Sequence, residues 1–298
     1  MSQSIVGEIV SFALWMKKQG YRDSTVRGCV RVLRSVGRRA DLLEPESAKC
    51  YLAGARLSEA RKALIVQHLA RFYTYKRIPF DKPHYVPVDT LPFIPMESEV
   101  DQLISGVGKK TAVYLQLLKD TGARAGEAWN VKWVDINSQQ GTVTITPEKG
   151  SRARRLKVAS SLVVMLDHLP HRSEHVFRNP AIDKSESLDD FSRNFSAQRR
   201  KIAEKLQNPR ILRISFKTLR HFKATMEYQK TKDILHVMRL LGHRNIQNTL
   251  VYTHLINNES DQFTCKVAKT VEETKDLIEN GFDFVTEVDG IRLFRKRK

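Results

Sequence analysis

The chain has 298 residues, of which 51 are lysine or arginine and 33 aspartate or glutamate, a formal net charge of +18. Such an excess suits a polyanionic partner, whose counterions are released when its phosphates are bound, and it makes nucleic acid the leading candidate. At 41% hydrophobic residues there is enough for two cores, whereas no apolar run approaches the ~18 residues of a membrane span and the N-terminal segment lacks the order of a signal peptide, so a cytoplasmic protein is expected.

Residues 1–77 read as a small four-helix bundle. The hydrophobic pattern predicts a helix from Ile5 to Met16, ended near Gly20, a second from Asp23 or Ser24, a third after Pro45, and a fourth opened by Ser58 and running to about Lys76. On the second, Arg27, Arg31, Arg34 and Arg38 recur at i, i+4, i+7 and i+11, beside an apolar face of Val26, Val30 and Leu33. One side packs; the other is a basic face, either merely solvated or meeting phosphates. Residues 1–88 hold 16 basic and 7 acidic side chains, so half of the charge excess lies in the first third of the chain. Pro79, Pro83, Pro87, Pro92 and Pro95 each remove a backbone donor and push the preceding residue to extended geometry, which makes 78–95 a stiff linker.

Beyond it, helices are expected at 97–106 and 110–120, followed by Thr121-Gly122-Ala123-Arg124-Ala125-Gly126-Glu127, where Gly122 permits a tight turn. Gly141-Thr-Val-Thr-Ile-Thr alternates in β-branched residues and Leu156-Lys-Val-Ala continues the pattern, so a hairpin bends through Glu148 to Arg155. Its turn is basic, with Lys149, Arg152, Arg154 and Arg155, so the hairpin is expected to be a DNA finger with Arg152, Arg154 and Arg155 as candidate DNA contacts. Further helices are predicted at about 160–168, 188–207, 217–229, 233–241 and 246–256. They carry Lys217-Thr218-Leu219-Arg220, then Leu241-Gly242-His243, then Tyr252-Thr253-His254. His168, His171 and His175 are closely spaced, but Pro170 interrupts any helix and the ligand set is incomplete, so a polar loop is expected rather than a metal site. Cys29, Cys50 and Cys265 are odd in number and scattered, so neither a disulfide framework nor a paired-cysteine metal motif is implied. Residues 266–298 read as a β-α-β-β appendage, with Thr270 and Glu273 as a capping box and Asp289-Gly290 turning the final hairpin.

Taken singly, a Gly-His after a helix, a tyrosine on an amphipathic helix and a Lys-x-x-Arg are ordinary features. Their joint order over the 129 positions from Arg124 to Tyr252 resembles the tyrosine recombinase (integrase) family. The resemblance implies a mainly α fold with a small β-sheet (α+β): a helical core-DNA-binding domain at 1–77, the linker, a catalytic domain at 96–265 and the tail from 266. It also implies a clamp around double-stranded DNA, with Arg124 and Arg220 holding phosphate oxygens through their planar donors. His243 would orient or accept a proton near the reaction centre, and Lys149 would protonate the departing 5′-oxygen. Tyr252 would attack phosphorus, leaving a 3′-phosphotyrosine and a free 5′-hydroxyl. Because the protein–DNA bond conserves the phosphodiester energy, no cofactor, ATP or metal is implied. The expected assembly is a homotetramer on two duplexes, to which the tail would contribute a docking segment.

Lys217 departs from the histidine most members carry and resembles a variant of archaeal and archaeal-virus integrases. At an ordinary pKa of ~10.4, a lysine donates a proton rather than accepting one. No arm-binding domain of the bacteriophage type is expected, which leaves a minimal mobile-element integrase or an Xer-like chromosome-dimer resolvase. The rival readings are a type IB topoisomerase, which swivels rather than exchanges strands, and a non-catalytic DNA-binding protein of the same fold.

Overall fold

The computed structural model describes residues 3–88, 90–148, 150–178, 187–255 and 263–297. The chain forms two compact units, Met1–Thr90 and Leu91–Lys298, mainly helical with small antiparallel sheets. Among the described residues no helix is long and apolar enough to cross a membrane.

The N-terminal unit is built from α1 (Gln3–Lys18), α2 (Asp23–Val36), α3 (Pro45–Gly54) and α4 (Glu59–Lys76). Pro45 sits in the first turn of α3, where its missing N–H leaves no helical bond unmade. Ser58 caps α4 by accepting the Arg61 N–H. Phe12, Met16, Leu33, Leu52 and Phe72 are fully buried together, each removal from water stabilising the unit by about 1.5–3 kcal/mol. Cys29 lies in the same core, where burial pushes its thiol up to about 11, and it is reduced like Cys50 and Cys265. The first half of the proline-rich segment packs on this unit: Ile78, Phe80 and Tyr85 lie against the core, with the Phe80 ring 4.7 Å from that of Tyr73.

The C-terminal unit starts with α5 (Glu97–Gly106), α6 (Lys109–Thr121) and the short α7 (Ala125–Trp129). Strands β1 (Ile136–Asn137), β2 (Thr142–Ile145) and β3 (Arg154–Lys157) form an antiparallel sheet in that order, with Val143 opposite Leu156. Then come α8 (Ser160–Asp167), α9 (Leu188–Lys205), α10 (Phe216–Thr231), α11 (Ile234–Leu241) and α12 (Gln247–Leu250). The second sheet closes the chain as β4 (Phe263–Ala268), α13 (Val271–Glu279), β5 (Asp283–Val288) and β6 (Ile291–Arg297), in the order β4-β6-β5. The expected capping box of α13 is made, Thr270 accepting from the Glu273 N–H.

Tyr114 of α6 is the hub of the main core. Its ring meets Trp129, Phe177, Phe191 and Phe216 edge-on at 5.0 to 6.0 Å, the geometry aromatic quadrupoles favour. Its hydroxyl donates to the Ala125 carbonyl at 2.7 Å, so the core fixes the start of α7. A second cluster joins Val237, Leu241, Ile246 and Tyr252 to Ile291 and Leu293 of β6. The C-terminal sheet thus folds back onto the segment that carries the tyrosine.

Four local features differ from the sequence reading. α2 stops at Val36, so Arg38 lies in the following turn rather than on the helix. A two-residue strand, β1, joins the hairpin; it is too short to leave a periodic signal. β3 begins at Arg154, which moves Arg154 and Arg155 from the turn into the strand. The helix expected over 246–256 ends at Leu250 and continues as a 3₁₀ turn over Val251–Leu255. The three spaced histidines are separately engaged: His168 with the Val164 carbonyl, His171 stacked on Trp133, and His175 with Arg178. No group of three potential metal ligands gathers among the described residues.

Candidate active site

Arg124 immediately precedes α7, and its backbone N–H donates to Glu127 Oε2 at 3.0 Å while Nη1 donates to Oε1 at 2.9 Å. Glu127 is 2% exposed. It also accepts from Arg154 Nη2 at 2.7 Å and from the Ser151 hydroxyl at 2.5 Å. Burial alone raises a carboxyl pKa, but the bonds from Arg154, Ser151 and the Arg124 N–H outweigh it and hold Glu127 down to about 2. Glu127 is therefore a fixed anion that draws the hairpin to α7 and locks the Arg124 side chain. Arg124 remains partly exposed.

On α10, capped by Ser215 accepting from the Thr218 N–H, Arg220 is buried. Its Nη1 donates to the Gly122 carbonyl at 2.6 Å and Nη2 to the Leu241 carbonyl at 2.9 Å. Burial, with Arg124 and Arg154 nearby, lowers it to about 10, so it stays charged at neutral pH. Nη2 also lies 2.8 Å from His243 Nε2. A guanidinium has no acceptor, so Nε2 of His243 accepts, and Nδ1–H donates to the Thr249 hydroxyl at 2.9 Å. Both ring nitrogens are engaged and the tautomer follows from the partners. Burial, then Arg220 and Arg124, lowers His243 to about 3, leaving it neutral.

Gly242 ends α11 at φ +67°, a conformation glycine adopts without strain. A Cβ there would meet the Arg152 carbonyl and Arg154 Nη1 at 2.9 Å, and the Gly242 carbonyl accepts the Arg152 N–H at 3.0 Å. The glycine thus ends the helix and admits the hairpin. Arg152 and Arg155 themselves are exposed, whereas Arg154 is buried against Glu127. That is a correction to the expectation of Arg154 as a DNA-contacting residue of the hairpin turn: the sheet's alternation turns it inward. Lys149 lies outside the described residues. Lys217 is exposed, one turn before His221 on α10.

Tyr252 is 2% exposed, and its hydroxyl lies 3.0 Å from Nδ1 of His221. Burial raises its pKa, against the pull of Arg220 and Arg124. His221 is lowered to about 4 by burial, then by Lys217 and Arg220. Sequence reading passed over His221, although Lys217 and His221 share one helix face at i, i+4 and the ring is adjacent to Arg220.

Residues 96–259 match the model of the phage integrase family. The chain belongs to that family. The chain is 29% identical over 206 residues to the tyrosine recombinase XerA of Pyrococcus furiosus, covering 64% of each chain. It is 24% identical over 259 residues to the XerA of Thermococcus kodakarensis, covering 82% of this chain and 89% of that one. The chain thus spans just under two thirds of the Pyrococcus relative. Among solved structures, the Tn1549 transposon integrase in complex with circular intermediate DNA superposes with a TM-score of 0.64 at 16% identity, covering 92% of this chain and 99% of that one. The fold thus brings Arg124, Arg220, His243 and Tyr252 into one site, with Glu127, Arg154, Ser151 and Thr249 as its supports.

Proposed function

We propose that the integrase is a site-specific DNA recombinase that cleaves and rejoins double-stranded DNA through a 3′-phosphotyrosyl intermediate. The observation that carries this reading is the single hydrogen-bonded site in which Arg220 and His243 meet at 2.8 Å, with Arg124 close enough to lower the pKa of both. Arg124 and Arg220 neutralise the non-bridging oxygens of the scissile phosphate, where charge builds up in the transition state. His243 keeps Arg220 aimed and is itself held by Thr249. Tyr252 attacks phosphorus, and the 5′-oxygen leaves with a proton from Lys149. The free 5′-hydroxyl of a partner strand then attacks the phosphotyrosine, restoring a phosphodiester and the phenol. The bond energy is retained throughout, so the step draws on no nucleotide and no metal.

Family membership and the TM-score of 0.64 to a DNA-bound integrase support the DNA substrate. Four protomers on two duplexes complete an exchange in the cytoplasm, where the DNA lies. The exposed arginines 27, 31, 34 and 38 supply sequence-independent grip, with Arg152 and Arg155 of the hairpin reaching the groove. The XerA likeness favours an archaeal element or chromosome as the source of the sites.

The test is a denaturing gel of the full chain incubated with supercoiled DNA and with nicked duplexes that it enriches from a randomised pool. A protein–DNA adduct on the 3′ side of a nick is expected from the wild type and not from Tyr252→Phe. Binding without any adduct would instead support a DNA-binding protein of this fold. Relaxation of supercoils without joining of two marked sites would support a type IB topoisomerase.

A further inference from the structure

With Lys217 replacing the usual histidine, the site lacks an evident acceptor, among the described residues, for the proton that Tyr252 must lose. A lysine ammonium has three donors and no acceptor. His243 has both nitrogens committed, Nε2 to Arg220 and Nδ1 to Thr249. Glu127 is saturated by Arg124, Ser151 and Arg154. The remaining candidate touches the reacting atom itself: Nδ1 of His221 lies 3.0 Å from the Tyr252 hydroxyl, with the ring centroids 5.8 Å apart.

Resting on the recombinase reading above, the geometry points to His221 as the catalytic base that takes the Tyr252 proton during strand cleavage and returns it on rejoining. In the Nε2–H tautomer, Nδ1 accepts from the phenol. As the Tyr252 oxygen bonds to phosphorus, its proton passes to Nδ1 and the bond from phosphorus to the 5′-oxygen breaks, that oxygen being protonated by a separate donor. In the reverse direction the imidazolium gives the proton back to the phenol oxygen. The charged and titratable groups facing His221 are Lys217 and Arg220 from its own helix and Tyr252 from the segment packed against it. Burial, reinforced by the two cations, holds the ring neutral in the free protein. A phosphate bound by Arg220 offsets their field and makes His221 more basic when substrate is present, so the base strengthens only when there is something to attack.

The experiment uses the full chain with the enriched nicked duplexes and follows adduct formation in single turnover. His221→Gln is expected to slow it about 10²-fold, the scale of one acid–base contribution, with DNA affinity and melting temperature unchanged. His221→Ala is expected to recover with added imidazole, and more so with more basic substituted imidazoles; a residue that only supports packing gives no such dependence. A duplex with sulfur at the bridging 5′ position, whose leaving group needs no protonation, is expected to leave the His221 deficit in place. An adduct that depends on Tyr252 but forms at wild-type rate in His221→Gln overturns the base assignment while leaving the recombinase reading intact. No adduct from the wild type removes the recombinase reading itself, and the assignment with it. If His221→Gln melts lower, His221→Asn and the imidazole series decide, and the absence of rescue counts against the proposal.

Discussion

Arg27, Arg31, Arg34 and Arg38 of the N-terminal unit are all exposed and together line a groove of about 540 Å³ with Val26, Val30 and Ser35. In the C-terminal unit, Arg154 and Arg220 are 9% and 7% exposed, and each is bound by partners fixed in the fold. The first group is solvated, rotamer-rich and replaceable; the second has given up its water and its freedom before substrate arrives. An exposed charge offers attraction that salt screens, while a desolvated, preorganised guanidinium offers directed stabilisation without reorganisation. Under the proposed function, one residue type would serve grip in one unit and chemistry in the other, divided by burial.

The largest test of that division is Arg220→Lys. Lysine keeps the charge but loses the fork that reaches the Gly122 and Leu241 carbonyls at once, so adduct formation is expected to fall at least ~10²-fold, the scale of one lost transition-state donor. DNA affinity at low salt should change little. A lysine variant as fast as the wild type would mean that charge alone is being used, and the contrast between the two arginine sets would collapse.

Acid should expose the same difference in stability. His221 and His243 sit at about 4 and about 3 in the folded chain, against 6.5 for an ordinary histidine, so between those limits the unfolded chain binds more protons than the folded one. Stability therefore falls as pH drops below 6.5, by about 1.4 kcal/mol per pH unit per group while the imbalance lasts. Glu127, lowered from 4.5 to about 2, adds to the loss in the same direction below 4.5. Urea titrations of the full chain at pH 7 and pH 5, repeated for His243→Gln, measure it. The wild type should lose stability on acidification and the variant should lose less; equal losses in the two would contradict the buried-neutral assignment of His243.

How much of this was readable beforehand depended on whether the signal is local. Helix periodicity, Ser58 and Thr270 as caps and the Asp289-Gly290 turn are written in neighbouring residues and can be read from them. That Arg124, Arg220, His243 and Tyr252 belong together was suggested by a family pattern of spacing rather than by a physical signal. What stayed hidden was made by contacts across the chain. Arg154 looked like a turn residue until strand alternation and Glu127, 27 positions earlier, turned it inward. His221 had no motif of its own, because its partner is 31 positions away. The break at Leu250 likewise has no helix-breaking residue; the buried Tyr252 and Thr249 of the segment are held by tertiary packing that overrides a continuous helical pattern.

The smallest expected effects belong to the exposed arginines, and they are also the most diagnostic of grip. Replacing Arg31 by alanine removes a side chain with no fixed partner, so stability should shift by no more than ~0.5 kcal/mol. If Arg31 meets one phosphate, log affinity plotted against log salt should become shallower by about 0.9, the share of one released counterion. The weakening should be the same for an enriched duplex and a random one, because a phosphate contact carries no base information. Combining Arg27→Ala, Arg31→Ala and Arg34→Ala should then flatten the slope by about three such steps while the single-turnover rate on saturating DNA stays at the wild-type value. An unchanged slope would return the stripe to an ordinary solvated face. A fall in the saturated rate would mean that these arginines help place the phosphate as well as hold it, and that burial is not what separates the two sets.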